Sequence, residues 1–346
     1  MTPMRRTAVA CLVLLALPLA PALAQQKTQM DEALEISRML LAAPEGVDAA
    51  YGAYQRGYYL TALELAMPRA EAGDAAAQTL IAEIYANGLG VGRDIPKAIE
   101  WYTKAHENGD IQASFQLATI YQFGDGVERD RAKAAELFKT AADGGHIAAK
   151  YNLGLLYVEG EYLEPNLTRA AELIGEAAEA GYPDAQYDFA VMLLEGAGVA
   201  PDTARAMDLL TMAAENGHIA AQVELATLYY TGAGGTRDVA AAADWYRSAA
   251  ELGNPVAQVR YAILLLAGEG VPRANPEEAA MWRALARTQG HSLPQLEQMI
   301  AGISPDIIAA GEERARFWPG RPPASSAVSA PPSFEGQTQG LDAANG

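Results

Sequence analysis

"GLGVGRDIPKAIEWYTKAHENGD", residues 88–110, sets a glycine pair and an aspartate ahead of an apolar stripe and closes on Gly109 and Asp110. The same Gly-Asp pair stands at Gly73 and Asp74, 36 residues earlier. Gly145, Gly181, Gly217 and Gly253 continue at that interval, and Gly290 follows after 37. A fixed period of this length marks an array of stacked repeats. Six units run over 74–290.

Two helices are predicted in each unit. Ala77, Ala113, Ala149, Ala185, Ala221 and Ala257 recur in step, as do Ala82, Ala118, Gly154, Ala190, Ala226 and Ala262, and such small residues allow close helix contact. Apolar residues stand four and seven places after the first alanine: Ile81 and Ile84 in the first unit, Leu117 and Ile120 in the second, through to Tyr261 and Leu264 in the sixth. This spacing makes one face of a helix. The helix stops at a glycine pair, Gly88 with Gly90, repeated as Gly124 with Gly126, Gly196 with Gly198, Gly232 with Gly234 and Gly268 with Gly270. Glycine accepts the positive φ that ends a helix.

A second helix starts at Asp94, Asp130, Asn166, Asp202, Asp238 and Asn275. Their side chains can accept from free N–H groups of the first turn, an effect worth about 1 kcal/mol each. Ala98, Trp101, Tyr102 and Ala105 form its buried stripe, echoed by Ala242, Trp245, Tyr246 and Ala249. One such pair cannot bury its apolar face alone, so stacking on neighbours supplies the core. The expected class is all-α, an array of helix-turn-helix repeats with helical caps and no sheet.

The sequence changes character on both sides of the array. At 1–24, Arg5 and Arg6 precede an apolar run that ends in Ala22, Leu23 and Ala24, the pattern of a cleaved secretory signal. No later stretch approaches the roughly 20 apolar residues that span a bilayer, so a soluble exported protein without direct membrane insertion is expected. The sole cysteine, Cys11, lies inside the signal, and Ala8, Val9 and Ala10 before it do not form the leucine-led site of a lipoprotein. The exported chain therefore lacks disulfide, thiol and Cys-zinc chemistry.

N-terminal capping helices and a partial repeat are expected over 25–73, with a helix at 28–42 and with Ala62 and Leu65 in the second-helix register. Two C-terminal capping helices are expected over 291–318, the second with Ser304 as N-cap and Pro305 in its first turn. The stretch 319–346, rich in Pro, Ser, Ala and Gly, reads as a disordered tail. The net charge is −18, and loss of a leader bearing two arginines makes it more negative. Such a surface disfavours nucleic acid and anionic lipid.

The unit running from Ala77 through Ile81, Ala82, Tyr85, Gly88, Gly90, Asp94, Ala98, Trp101 and Tyr102 to Ala105 resembles the Sel-one-like repeat (SLR), a relative of the tetratricopeptide repeat, and the likeness extends over 50–290. That resemblance implies a curved α/α superhelical solenoid that holds protein partners on its inner surface. The flanks "AYQRGYYLTALELAMPRAEAGDAAAQTLIAEIYANGLGV" (53–91) and "AAMWRALARTQGHSLPQLEQMIAGIS" (279–304), with the signal sequence, are similar to the ExoR-type periplasmic regulators of alphaproteobacteria. This narrower resemblance implies a periplasmic protein that represses a membrane sensor histidine kinase through the kinase's periplasmic domain and restrains exopolysaccharide synthesis. Two other roles stay open: an envelope scaffold with several partners, and an enzyme of the β-lactamase or peptidoglycan type, as proposed for some cysteine-rich SLR proteins. The missing cysteine and nucleophile-base motif argue against the enzyme.

Motifs that carry chemistry are sparse. His146 and His218 share one repeat position and read as turn or helix-start residues, while His106 and His291 lie near unit ends. HExxH, GxSxG and SxxK are absent, so no catalytic residue, cofactor or metal is expected. Glu83, Glu136, Glu172, Glu179 and Glu224 read as a solvated face. "GLGVG" at 88–92 superficially suggests a phosphate loop, yet it follows a helix, lacks the lysine and recurs in register as a turn.

One face exceeds that plain reading. Positions two, six and nine after the repeated alanine lie about 180° from the core stripe of the first helix. They read Thr79, Glu83, Ala86; Phe115, Thr119, Gln122; Tyr151, Leu155, Val158; Tyr187, Val191, Leu194; Val223, Thr227, Tyr230; and Val259, Ile263, Leu266. Either the array buries this face against its own neighbouring repeats, or the face is an apolar groove for a partner segment. Phe115, Gln122, Tyr151, Tyr187 and Tyr230 are the candidate partner contacts.

Overall fold

The computed structural model describes residues 48–320, and among them every regular element is an α-helix. The leader at 1–24, the helix expected at 28–42 and the tail beyond Gly320 lie outside the described residues. The chain divides into two compact units, the first ending at Ala141 and the second beginning at Ala142. Unit 1 holds α1 (Ala49–Gln55), α2 (Tyr59–Glu71), α3 (Ala75–Asn87), α4 (Ile95–Glu107), α5 (Ile111–Phe123) and most of α6 (Arg131–Asp143). Unit 2 holds α7 (Ile147–Glu159), α8 (Leu167–Glu179), α9 (Pro183–Glu195), α10 (Thr203–Glu215), α11 (Ile219–Thr231), α12 (Val239–Glu251), α13 (Pro255–Ala267), α14 (Pro276–Thr288), α15 (Pro294–Ile300) and α16 (Pro305–Arg316).

The helices keep one length because each repeat starts and stops them with the same devices. Asp94 accepts from the Lys97 N–H at 3.0 Å, Asp130 from Lys133 at 2.9 Å, Asn166 from Arg169 at 2.9 Å and Asp202 from Arg205 at 3.0 Å. Asp238 and Asn275 do the same for α12 and α14. On the first helices Asp74, Asp110 and Asn254 serve. His146 and His218 join them through Nδ1, which accepts from Ala149 and Ala221 at 3.2 and 3.1 Å. Both histidines are thus helix-start residues, as their periodicity predicts. Tyr182 begins α9 without a side-chain bond, and Pro183 fills the first position, where a missing N–H costs nothing.

Glycine ends the first helices, and two positions show why nothing larger fits. Gly198 has φ 73°, and a Cβ there would stand 2.1 Å from the Leu167 carbonyl oxygen. Gly154, inside α7, faces α8 so closely that a Cβ would lie 2.6 Å from Ile174 Cγ1. The loop after α11 departs from the glycine pairing: Gly232 has φ 78°, but the second positive φ falls on Gly235 rather than Gly234. A bond from Gly235 N–H to the Gly232 carbonyl at 3.0 Å makes this turn, and Gly234 instead leaves room for Met207 Sδ.

The predicted stripes form the core. Ile81, Leu117, Leu153, Phe189, Leu225 and Tyr261 are all buried, together with Ile84, Ile120, Leu156, Met192, Leu228 and Leu264. On the second helices Trp101, Tyr102 and Tyr246 are buried, while Trp245 is half-buried. Burial of such side chains stabilises each by about 1.5–3 kcal/mol. The C-terminal helices complete unit 2. Leu296 and Ile300 of α15 enter the cluster that holds Val259, Ile263 and Leu264, and the Trp282 ring lies edge-on to Tyr261 at 6.3 Å and Trp318 at 4.8 Å. Arg283 forks onto Glu297 with bonds of 2.5 to 3.0 Å. Ser304 occupies the N-cap position of α16, but its side chain makes no capping bond; Pro305 and the Ser304 carbonyl start that helix.

Candidate functional site

In unit 2 the second face of the first helices is aromatic and half-buried. Tyr151 on α7 donates its hydroxyl to Asp188 Oδ2 at 2.8 Å, and its ring lies 5.2 Å from Tyr182. Tyr187 on α9 stacks on the His218 imidazole at 4.8 Å. Leu155 and Leu194 pack with these rings against the buried cluster. Tyr230 on α11 carries the Arg237 guanidinium over its ring at 5.3 Å, and Arg237 Nε donates to the Tyr230 carbonyl at 2.8 Å. Asp188 is half-buried in this surface. Burial and the like charge of Asp184 push its carboxyl above the usual 3.8, while the Tyr151 hydroxyl and the nearby His218 act the other way.

At the last repeat the choice between self-burial and groove is resolved. Val259 and Ile263 are buried in the core with Leu296 and Ile300, because α15 packs on α13. The sequence pattern could not anticipate this, since the covering helix is not part of the repeat.

Unit 1 presents the same positions with different chemistry. Phe115 on α5 is half-buried with its ring 5.9 Å from Phe138, and Gln122 is half-buried with its carbonyl accepting from Arg129 Nε at 2.8 Å. Thr79 is buried and its hydroxyl makes no hydrogen bond. Glu83 is not the solvated carboxylate that abundance suggests: it is half-buried, and burial pushes its carboxyl above the usual 4.5, with the nearby Tyr54 hydroxyl acting the other way. It lies on the wall of a cleft of about 730 Å³ that also takes in Tyr54, Tyr102, Gln116, Thr119 and Phe123. Phe123 at its edge is 71% exposed.

A set of residues with a structural part escaped the reading of the apolar pattern. Gln78, Gln186, Gln222 and Gln258, one place after the repeated alanine, are buried. Each sends Nε2 to a carbonyl in the last turn of the preceding second helix or its partial equivalent: Ala70, Ala178, Ala214 and Ala250 at 2.8 to 3.4 Å. Arg93, Arg129 and Arg237, one place before the capping aspartate, bond the carbonyls of Ala86, Gln122 and Tyr230. Both sets carry the 36-residue period in the sequence, and that period was the signal available to find them.

Chemically, such a surface suits binding. Half-buried aromatics offer apolar area with a polar tip, and half-buried carboxylates offer sites for a donor or cation. Among the described residues no group of three or more His, Cys, Asp or Glu is placed to hold a metal, and no helix is long and apolar enough to cross a membrane.

A family model described as "Sel1 repeat" matches residues 75–110, 111–146, 147–182, 183–218, 219–254 and 255–291. Among solved structures, a Sel1 repeat protein from Oxalobacter formigenes is similar at 31% identity, over 70% of this chain and 97% of its own, with a TM-score of 0.61. A protective antigen present in uropathogenic Escherichia coli strains and displaying an SLR fold is similar at 26% identity, over 85% of this chain and 73% of its own, with a TM-score of 0.64. Among curated proteins nothing matches the chain.

Proposed function

The chain belongs to the Sel1 repeat family, and on that premise we propose that it is a non-enzymatic periplasmic adaptor that binds the periplasmic domain of a membrane sensor histidine kinase and restrains exopolysaccharide production, as the ExoR-type regulators do. Proteins of this family generally mediate protein–protein interaction. The observation that carries the reading to a surface is the half-buried aromatic face of unit 2, where Tyr151 and Tyr187 stand on successive first helices beside Leu155 and Leu194. The secretory pattern at 1–24 supports the compartment, and the resemblance of the flanks supports the kinase.

The mechanism is stoichiometric. An adaptor that binds the inactive kinase more tightly than the active one shifts the population toward inactivity, by as much as its affinities differ. Loss of the adaptor releases signalling. The acidic chain favours a basic partner surface, with apolar anchors on the aromatic face.

The test is crosslinking in intact cells followed by purification through a tag after Gly346 and mass spectrometry. Recovery of one sensor kinase, lost in a Tyr151→Ala/Tyr187→Ala double variant of unchanged helicity, supports the adaptor. A broad set of envelope proteins without a kinase overturns the regulator and leaves a multi-partner scaffold.

A further inference from the structure

The cleft of unit 1 is separate in its residues from the aromatic face and differs in construction. Its volume of about 730 Å³ falls within the range of sites that enclose a ligand, about 300–1,000 Å³. Glu83 and Tyr54 stand in its wall, and the charge acting on the carboxylate from nearby, Asp110, is of its own sign. Arg93, also on the lining, is already engaged: its guanidinium holds Asp125 at 2.5 Å and the Ala86 carbonyl at 3.0 Å. An anion partly withdrawn from water without a countercharge is costly and gains from a cation. Phe123 beside it offers an exposed ring to the stem of a long side chain.

We infer that this cleft receives a lysine or arginine side chain from an extended segment of a partner protein, with the cation on Glu83 and the methylene stem against Phe123. A basic guest also fits the whole chain, whose net charge is −18. The chain's own residues 25–47 are a poorer complement, since Lys27 and Arg38 there are outnumbered by Asp31, Glu32, Glu35 and Glu45. The inference rests on the adaptor reading and names the chemistry of one part of the partner.

The test is selection of random dodecapeptides on the full mature protein, followed by fluorescence anisotropy with the selected peptides. Glu83→Gln keeps the size and polarity of the side chain and removes the charge. Peptides carrying lysine or arginine should be enriched, and their affinity should fall at least about tenfold in Glu83→Gln, the scale of one charge-assisted bond. Replacing the peptide's arginine by citrulline should weaken binding to the parent protein and have little further effect on the variant. Peptides that bind Glu83→Gln as tightly as the parent overturn the inference. If those peptides are instead weakened by Tyr151→Ala/Tyr187→Ala, the adaptor reading survives without the cleft. If no peptide is selected and no partner crosslinks, both fall.

Discussion

Unit 1 and unit 2 set equivalent helix positions to different uses. In unit 1, Glu83, Ala86 and Thr119 are short or polar, and the space beside them stays open as the cleft. In unit 2, Tyr151, Leu155, Tyr187 and Leu194 fill that space with rings and branched chains, and in the last repeat Val259 and Ile263 vanish beneath α15. The repeat controls the backbone; the residues at its three free positions control whether a surface is cleft, aromatic platform or core. One scaffold can therefore carry dissimilar contacts without altering its packing.

The comparison breaks first at its closed end. Leu296→Ala removes a fully buried side chain from the cluster that holds Ile263 and is expected to cost about 2–5 kcal/mol, read by urea denaturation. A loss well below that would mean α15 does not close the face.

Next, the buried glutamines differ in energy: Gln258 of unit 2 resembles Gln78 in having its Oε1 bonded, by Gln289 at 3.3 Å, and Gln222 does not. Gln78 is bonded at both ends, its Oε1 accepting from Asn108 at 2.9 Å, whereas the Oε1 of Gln222 has no hydrogen-bond partner. Gln78→Leu should therefore cost more, about 2 kcal/mol against about 1 for Gln222→Leu. Equal losses in denaturation would remove the distinction.

A smaller effect concerns the two half-buried carboxylates, and its sign is fixed. Both hold their protons more tightly in the folded chain than at the usual values, 4.5 for Glu83 and 3.8 for Asp188. Each therefore detracts from stability as pH rises through its window, and the deficit persists at neutral pH. Glu83→Gln should stabilise the protein at pH 7, and the gain should fade near about pH 4 as the native carboxyl protonates. Asp188→Asn should gain in the same direction, because burial and the like charge of Asp184 raise its carboxyl despite Tyr151 and His218. A thermal melt series from pH 4 to 7 reads both. The smallest change is Arg93→Ala: its ion pair with Asp125 is half exposed on both sides, and such pairs contribute about 0–1 kcal/mol, so the unfolding midpoint should barely move.

Much of this was legible in the sequence because the determinants are local. The capping residues act within three positions, and the apolar stripe follows from helix geometry alone. The sequence pattern places Glu83 on a solvated face, whereas the structure half-buries it in a cleft wall shared with Tyr54, which belongs to the segment ahead of the array. Val259 and Ile263 were left undecided because α15, a helix outside the period, covers them. Gln78 and its counterparts were missed because a polar side chain does not register in an apolar pattern, and because Ser114 and Lys150 interrupt the series. Ser114 instead meets His106 Nδ1 at 2.8 Å, and Lys150 pairs with Glu176.

The glutamine bonds also bear on how such a gene could change. The repeats of Gln186, Gln222 and Gln258 each bring the donor that completes the helix before it, and the first two leave behind a carbonyl for the repeat that follows. Recombination that adds or removes one whole 36-residue stretch between Ala185 and Gln258 would therefore leave each of these junctions chemically complete. Array length can drift there in whole steps, each new joint arriving with its own donor and acceptor.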